Sequence, residues 1–208
     1  NGVEEILSAN ALISAVGQLN RPRFPDIDGL DDFKGELVHS AMWPSDLECS
    51  GKRVAVIGSG ASAFQIVPEI AKVAKHLTVF QRSPVLMFPN PVYHREVAEG
   101  HKWALRKIPF YSKWYRFGLF YSAVEGVYEQ TLADPNWNSP LSVSASNDVM
   151  RENLTMWIES QVNDQALLEK VLPKYPPFGK RILQDNGTYL SSLQKDNVEL
   201  VAKEVNKL

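Results

Sequence analysis

The chain has 208 residues, with 22 Lys+Arg against 24 Asp+Glu for a formal net charge of -2; that length fits one domain, or one and a half. The 44% apolar content excludes wholesale disorder, and the near-neutral balance argues against a dedicated nucleic-acid binder. Cys49, the single cysteine, makes neither an internal disulfide nor a Cys-based zinc site, which fits a reducing cytoplasm, and no apolar run approaches the ~18 residues of a membrane span.

In chain order, Ala11-Leu12-Ile13-Ser14-Ala15-Val16-Gly17 is an apolar run of β-type residues ending in glycine and reads as a buried strand. Residues 18–32 hold Pro22, Pro25 and Gly29 among charged residues and read as a loop or linker. Val54-Ala55-Val56-Ile57 reads as a short strand, followed by the small-residue turn Gly58-Ser59-Gly60-Ala61-Ser62-Ala63. From Phe64 to Lys75 the spacing is helical, with Phe64, Val67, Ile70, Ala71 and Ala74 on one face. Pro68 lies past the first turn, so it is expected to kink this helix and to lose the bond to Phe64. Leu77-Thr78-Val79-Phe80 is the next strand, which completes a strand–turn–helix–strand unit of βαβ size.

Residues 84–93 hold Pro84, Pro89 and Pro91 and read as a loop. Residues 94–130 read as helical and aromatic, broken in two at Pro109. Residues 134–147 read as a polar loop and 148–171 as helical again. In that stretch Leu154, Trp157, Ile158, Val162 and Leu167 are candidate buried positions, and Asp164 opens a second short helix. Tyr175-Pro176-Pro177-Phe178-Gly179 ends that run, and Val198-Glu199-Leu200-Val201 reads as a last strand. The expected fold class is α/β: a Rossmann-like three-layer NAD(P)-binding domain with a parallel sheet and a helical insertion at about 90–170.

The turn after the first strand matches Gly-x-Gly-x-x-Gly/Ala, between a strand and a helix as the motif requires. Gly58 allows the tight turn, Gly60 lets the backbone approach a pyrophosphate, and Ala63 permits close helix–strand packing. The free N–H groups at the helix start then face the phosphates. The plainer reading is a tight turn whose small residues serve packing alone. The end of the second strand bears on the choice of cofactor. An NAD site places Asp or Glu there for the ribose 2′-OH. This chain has Gln81-Arg82-Ser83 instead, and an arginine and a hydroxyl suit a 2′-phosphate, so NADPH is favoured. The plainer reading of Arg82 is a solvated surface arginine.

Phe33-Lys34-Gly35-Glu36-Leu37-Val38-His39-Ser40-Ala41-Met42-Trp43-Pro44 precedes that unit. Taken alone it is a loop with one histidine, and such a histidine is more often structural than catalytic. The segment resembles the Baeyer–Villiger monooxygenase motif F-x-G-x-x-x-H-T-x-x-W-P/D. Phe33, Gly35, His39, Trp43 and Pro44 match, and Ser40 keeps the hydroxyl of the usual threonine. Three further segments support the resemblance. Ser14 to Pro22 resembles that family's crossing from flavin domain to NADP domain. Val79-Phe80-Gln81-Arg82-Ser83-Pro84 resembles its 2′-phosphate strand end. Pro177-Phe178-Gly179-Lys180-Arg181 resembles its late Lys-Arg pair. The start Gly60-Ala61-Ser62-Ala63-Phe64-Gln65 is similar to the 4-hydroxyacetophenone monooxygenase-like branch, which acts on aryl ketones.

The resemblance implies an enzyme that uses NADPH to reduce FAD and inserts one oxygen atom of O2 into a ketone, giving an ester or lactone. It implies that Gly58, Ser59, Gly60, Ala61, Ser62, Ala63, Gln65, Arg82, Ser83 and Lys180 bind NADPH, and that Arg181 is the catalytic cation. Without the resemblance, Lys180-Arg181 reads as a basic surface pair. It also implies that the chain is a middle piece. On that reading residues 1–20 are a stub of the FAD domain, 21–50 a linker, 51–195 the NADP-binding domain, and 196–208 the start of the return. FAD would be held mainly by other parts of the parent, whose flavin domain is the partner. The rival readings are a flavin monooxygenase oxidising N or S atoms, and a non-catalytic NADP-binding module with sensing or interaction duty. The stretch from His101 to Tyr121 mixes Lys102, Arg106, Lys107, Lys113 and Arg116 with aromatics. It is expected to pack on the sheet as a helical layer, ahead of capping a substrate pocket or lying on a membrane. Met87, Met150 and Met156 read as packing residues. Four histidines without paired helical spacing suggest no metal site.

Overall fold

The computed structural model describes residues 4, 6–17 and 19–207. The expectations for the terminal segments that fall on Asn1, Gly2, Val3, Glu5 and Leu208, and the linker position Gln18, lie outside the described residues. The chain divides into two units, Asn1–Leu47 with Asn206–Leu208, and Glu48–Val205.

In the larger unit the elements run β1 (Arg53–Ile57), α1 (Ala61–Val73), β2 (His76–Phe80), β3 (Met87–Pro89), α2 (Glu99–Lys107), α3 (Tyr111–Ala123), α4 (Tyr128–Thr131), α5 (Ala145–Glu159), α6 (Gln165–Val171), β4 (Leu183–Asp185), α7 (Thr188–Leu193) and β5 (Val198–Val201). β1, β2 and β5 form one parallel sheet in that order, in register from Arg53↔His76 to Ile57↔Phe80 and from Leu77↔Val198 to Phe80↔Val201. Parallel neighbours need a crossover, and α1 supplies it between β1 and β2. β3 and β4 form a second, two-stranded parallel sheet. The α/β class and the parallel sheet expected from the sequence are both present.

The helical face read from the sequence is the face that packs: Phe64, Val67, Ile70, Ala71 and Ala74 are all buried. α1 runs unbroken across Pro68, where a kink was expected. Pro68 is itself buried with Val67 and Ala71, so packing holds the helix through the position that lacks an N–H. Leu77 and Val79 of β2 are fully buried, and Leu154, Ile158, Val162 and Leu167 are buried as expected, with Trp157 partly so. Asp164 does open the second helix, accepting the Ala166 N–H at 3.0 Å.

Other expectations are corrected. Residues 11–17 form no strand, and Leu12 and Ile13 are exposed. A strand is stable only when its backbone pairs, and no described residue offers this segment an edge. The proline-rich stretch 84–93 contains β3, whose Met87 is buried; its partner β4 was not foreseen, nor was α7. Helix α5 begins three residues before 148, because Ser144 caps it by accepting the Asn147 N–H. α2 and α3 bury none of their residues, so they do not form the expected layer on the sheet. Among the described residues, no helix is long and apolar enough to cross a membrane.

Tyr189 of α7 stacks on Phe64 with ring centroids 4.4 Å apart, and it is fully buried. Its hydroxyl finds no hydrogen-bond partner among the described residues. Burial pushes the phenol well above its usual 10.0. Folding therefore holds the proton, and this residue's contribution is lost as pH rises through and beyond 10.0. Tyr189→Phe removes a desolvated polar group without leaving a cavity. It is expected to leave stability unchanged or raise it by up to ~1 kcal/mol in thermal unfolding. A loss larger than that would mean the hydroxyl is satisfied.

Candidate functional site

The glycine turn sits at the carboxyl end of β1. Gly58 has φ +108°, a conformation that side chains rarely adopt, and its N–H donates to the Phe80 carbonyl at 2.8 Å. This bond ties the turn to the end of β2. A Cβ added at Gly58 or Gly60 would meet nothing within 4 Å, so the space before both is open. The first N–H of α1 to enter the helical ladder is that of Phe64, donated to the Gly60 carbonyl. Those of Ala61, Ser62 and Ala63 precede it and face the turn's open end. Ala63 is buried, as close helix–strand packing requires. Gln65 turns its amide back on the Ala61 carbonyl at 3.0 Å.

Three of the predicted residues come together beside this turn. The buried Ser59 donates its hydroxyl to the Ser83 carbonyl at 3.1 Å, and the Lys180 ammonium donates to Ser83 Oγ at 2.8 Å. The glycine turn, the end of β2 and the Lys-Arg segment are thereby joined through Ser83, although Ser59 and Lys180 are distant in sequence. Arg82 stands next to Ser83, is exposed, and makes no ion pair among the described residues. Arg181 follows Lys180 and is likewise exposed.

Two framework residues were not singled out from the sequence. Gln81 occupies the place where an NAD site would carry an acid. Its side chain is buried and donates to the Lys170 carbonyl at 2.8 Å, so it points into the protein rather than to a ribose. Tyr175 donates its hydroxyl to the Pro84 carbonyl at 2.9 Å, while Lys180 lies 4.8 Å over its ring. Burial pushes the Tyr175 phenol up. An aromatic just before the Pro-Pro turn and the basic pair was the available signal for it.

The segment resembling the Baeyer–Villiger motif lies in the smaller unit. A Cβ at Gly35 would stand 2.6 Å from the far edge of the Phe33 ring, so a side chain there would push that exposed phenylalanine aside. His39 caps a single 3-10 turn, Ser40–Met42, by accepting the Ala41 N–H on Nδ1 at 3.1 Å. It also packs edge-on against Phe24 at 5.6 Å. Trp43 is exposed and Pro44 half-buried. In this unit His39 has a local structural task, which is the plainer of its two sequence readings. No group of three or more His, Cys, Asp or Glu placed to hold a metal occurs among the described residues.

Residues 4–132 match the family model described as FMO-like, flavin-binding monooxygenase-like. The chain is 44% identical over 203 residues to an uncharacterised monooxygenase of Sinorhizobium fredii, covering 97% of this chain and 30% of that protein. It is 37% identical over 185 residues to a Baeyer-Villiger monooxygenase of Pseudomonas aeruginosa, covering 88% of this chain and 32% of that one. A crystal structure of OTEMO in complex with FAD and NADP superposes with a TM-score of 0.67 at 30% identity, over 90% of this chain and 40% of that chain. The chain thus spans about a third of the length of these curated relatives.

Proposed function

Since this chain belongs to the flavin-binding monooxygenase-like family, we propose that it is the NADPH-binding portion of an FAD-dependent Baeyer–Villiger monooxygenase. The whole enzyme inserts one oxygen atom of O2 into a ketone to give an ester or lactone. The observation that carries the NADPH assignment is the contact of Lys180 with Ser83, beside Arg82 and the open glycine turn. A dinucleotide 2′-phosphate needs cations and hydroxyl donors at the end of the second strand, and these are the side chains present there.

Arg82, Ser83 and Lys180 would hold the 2′-phosphate. Gly58, Ser59, Gly60 and the first turn of α1, from Ala61 to Ala63, would hold the pyrophosphate, with Gln65 along its edge. The two cofactors supply hydride transfer and oxygen activation, while the protein's share is to bind, orient and stabilise charge. Arg181 is the catalytic cation in this reading, and FAD is bound mainly by the rest of the parent. Phe33, Gly35, His39, Ser40, Trp43 and Pro44 form the linker element between the two cofactor domains. Residues 51–195 make the NADP domain together with β5, which pairs with β2. Residues 1–20 and the end of the chain adjoin the flavin domain. The Baeyer-Villiger name of the Pseudomonas relative favours ketone oxidation over N or S oxidation, and the lone Cys49 suits a cytoplasmic parent.

The test is turnover by the full-length natural protein. With FAD, NADPH and O2 it should convert ketones to esters, with aryl ketones the first to offer because of the Gly60–Gln65 resemblance. NADPH oxidation that no ketone accelerates, together with conversion of amines or sulfides, would replace this reading with the rival oxidation.

A further inference from the structure

We infer that Asn147 is a positioning residue of this site: its buried amide selects the backbone turn that presents Lys180. The inference rests on the NADPH reading above. Asn147 lies in the first turn of α5 and is fully buried. Its Oδ1 accepts the Val143 N–H at 3.2 Å, and its Nδ2 donates to the carbonyls of Gln130 at 2.7 Å and Pro177 at 3.3 Å. With one backbone donor on one side and two carbonyls on the other, the amide has a single satisfactory orientation.

Pro177 is the second residue of a tight turn, closed by the Gly179 N–H on the Pro176 carbonyl at 3.1 Å. Its third residue, Phe178, has φ +67°. A positive φ at that position marks a type II turn, which is glycine's ground and not phenylalanine's. The type I alternative would spare Phe178 this conformation, but it flips the central peptide and swings the Pro177 carbonyl the other way. The Nδ2 of Asn147 would then lose its acceptor in a buried place, where an unmade hydrogen bond is costly. The buried amide and the strained phenylalanine therefore oppose each other, and the amide wins.

The turn lies between two anchors on the same strand end. Before it, Tyr175 is bound to the Pro84 carbonyl; after it, Lys180 is bound to Ser83. Without the Nδ2 bond to the Pro177 carbonyl, the segment between these anchors exchanges between the two turn forms, and the hold of Lys180 on Ser83 loosens. Through the Gln130 carbonyl the same asparagine also links α4 to this turn.

The experiment uses the full-length protein with Asn147→Ala, Phe178→Gly and the double variant. NADP+ and NAD+ are titrated by calorimetry, and hydrogen exchange is followed over residues 174–182. Asn147→Ala should weaken NADP+ binding about tenfold, the loss of one charge-assisted contact, and change NAD+ binding much less. Exchange should quicken at Gly179 and Lys180 and not in β1 or β2. Glycine adopts a positive φ without strain, so the double variant should regain most of the NADP+ affinity while its melting temperature stays low. Asn147→Ser, which keeps a buried hydroxyl, serves if alanine unfolds the chain. A lowered melting temperature with unchanged NADP+ affinity and unchanged exchange overturns the inference, as does a double variant with no recovery. If the unsubstituted protein does not prefer NADP+ to NAD+, the cofactor reading falls instead. Exchange over 174–182 then decides by itself whether Asn147 sets the turn.

Discussion

Arg82→Ala should raise the dissociation constant for NADPH by about 10- to 150-fold, the worth of one hydrogen bond to a charged group. The constant for NADH should change by less than about threefold. The two dinucleotides differ only in the 2′-phosphate, so the ratio of the two losses isolates the contact. Arg82 suits this contact because its guanidinium presents two parallel donors to phosphate oxygens. It also stands exposed, with no ion pair to surrender among the described residues. Lys180 is already held on Ser83 and would keep part of the phosphate's charge compensated, which limits the loss in the single variant. Fluorescence titration of the full-length protein with each dinucleotide gives the ratio, and equal losses for both would remove Arg82 from the 2′-phosphate.

The part of the fold that carries this site was legible because its signals are local. Val54 to Ile57 and Leu77 to Phe80 are short β-type runs, bounded by Arg53 and Gly58 and by His76 and Gln81, and they are strands within one residue of the expected ends. The α1 stripe of Phe64, Val67, Ile70 and Ala71 repeats at helical spacing, and no other element interrupts it. β3 and β4 carried no such signal. Met87-Phe88-Pro89 and Leu183-Gln184-Asp185 are three residues each, without alternation, and each is a strand only because the other lies beside it. Residues 11–17 show the converse. Their composition is that of a buried strand, but pairing is a property of two segments, and the described residues hold one of them. The aromatics of α2 and α3 misled in the same way. Apolar character says that a surface is worth covering, not which surface covers it.

The candidate site divides along the same line. Gly58, Gly60, Arg82 and Ser83 fall within one βαβ unit, so their proximity followed from the motif. The contact of Lys180 with Ser83 needs a chain reversal far from that unit, and only the family resemblance drew the two together beforehand. Gln81, Tyr175 and Asn147 were not legible as site framework. Each acts through side-chain hydrogen bonds to distant carbonyls: Gln81 to Lys170, Tyr175 to Pro84, and Asn147 to Gln130 and Pro177. A polar residue leaves no periodic trace of such a partner. Asparagine at the start of a helix reads first as a local capping residue.

Arg181→Ala should lower the turnover number for ketone oxygenation by about 10²- to 10³-fold in the full-length protein, the usual cost of removing a fixed donor aimed at developing negative charge. The NADPH dissociation constant should move by less than about threefold, because the proposed site assigns the 2′-phosphate to Arg82 and Lys180. Attack on a ketone places negative charge on the former carbonyl oxygen, and a guanidinium stays protonated throughout any accessible pH range. Arg181 follows Lys180 directly, so whatever fixes the lysine on Ser83 also confines the arginine's backbone. It is exposed, and among the described residues no carboxylate claims its charge. Arg181→Lys should recover little, since an ammonium on a flexible stem cannot reproduce two parallel donors. The decisive measurement is ester formed per NADPH consumed. A charge-stabilising role predicts that NADPH oxidation continues while ester yield collapses, because binding survives and oxygen transfer does not. A proportional fall in both would place Arg181 in cofactor binding with Lys180, and an unchanged yield would leave it a surface arginine.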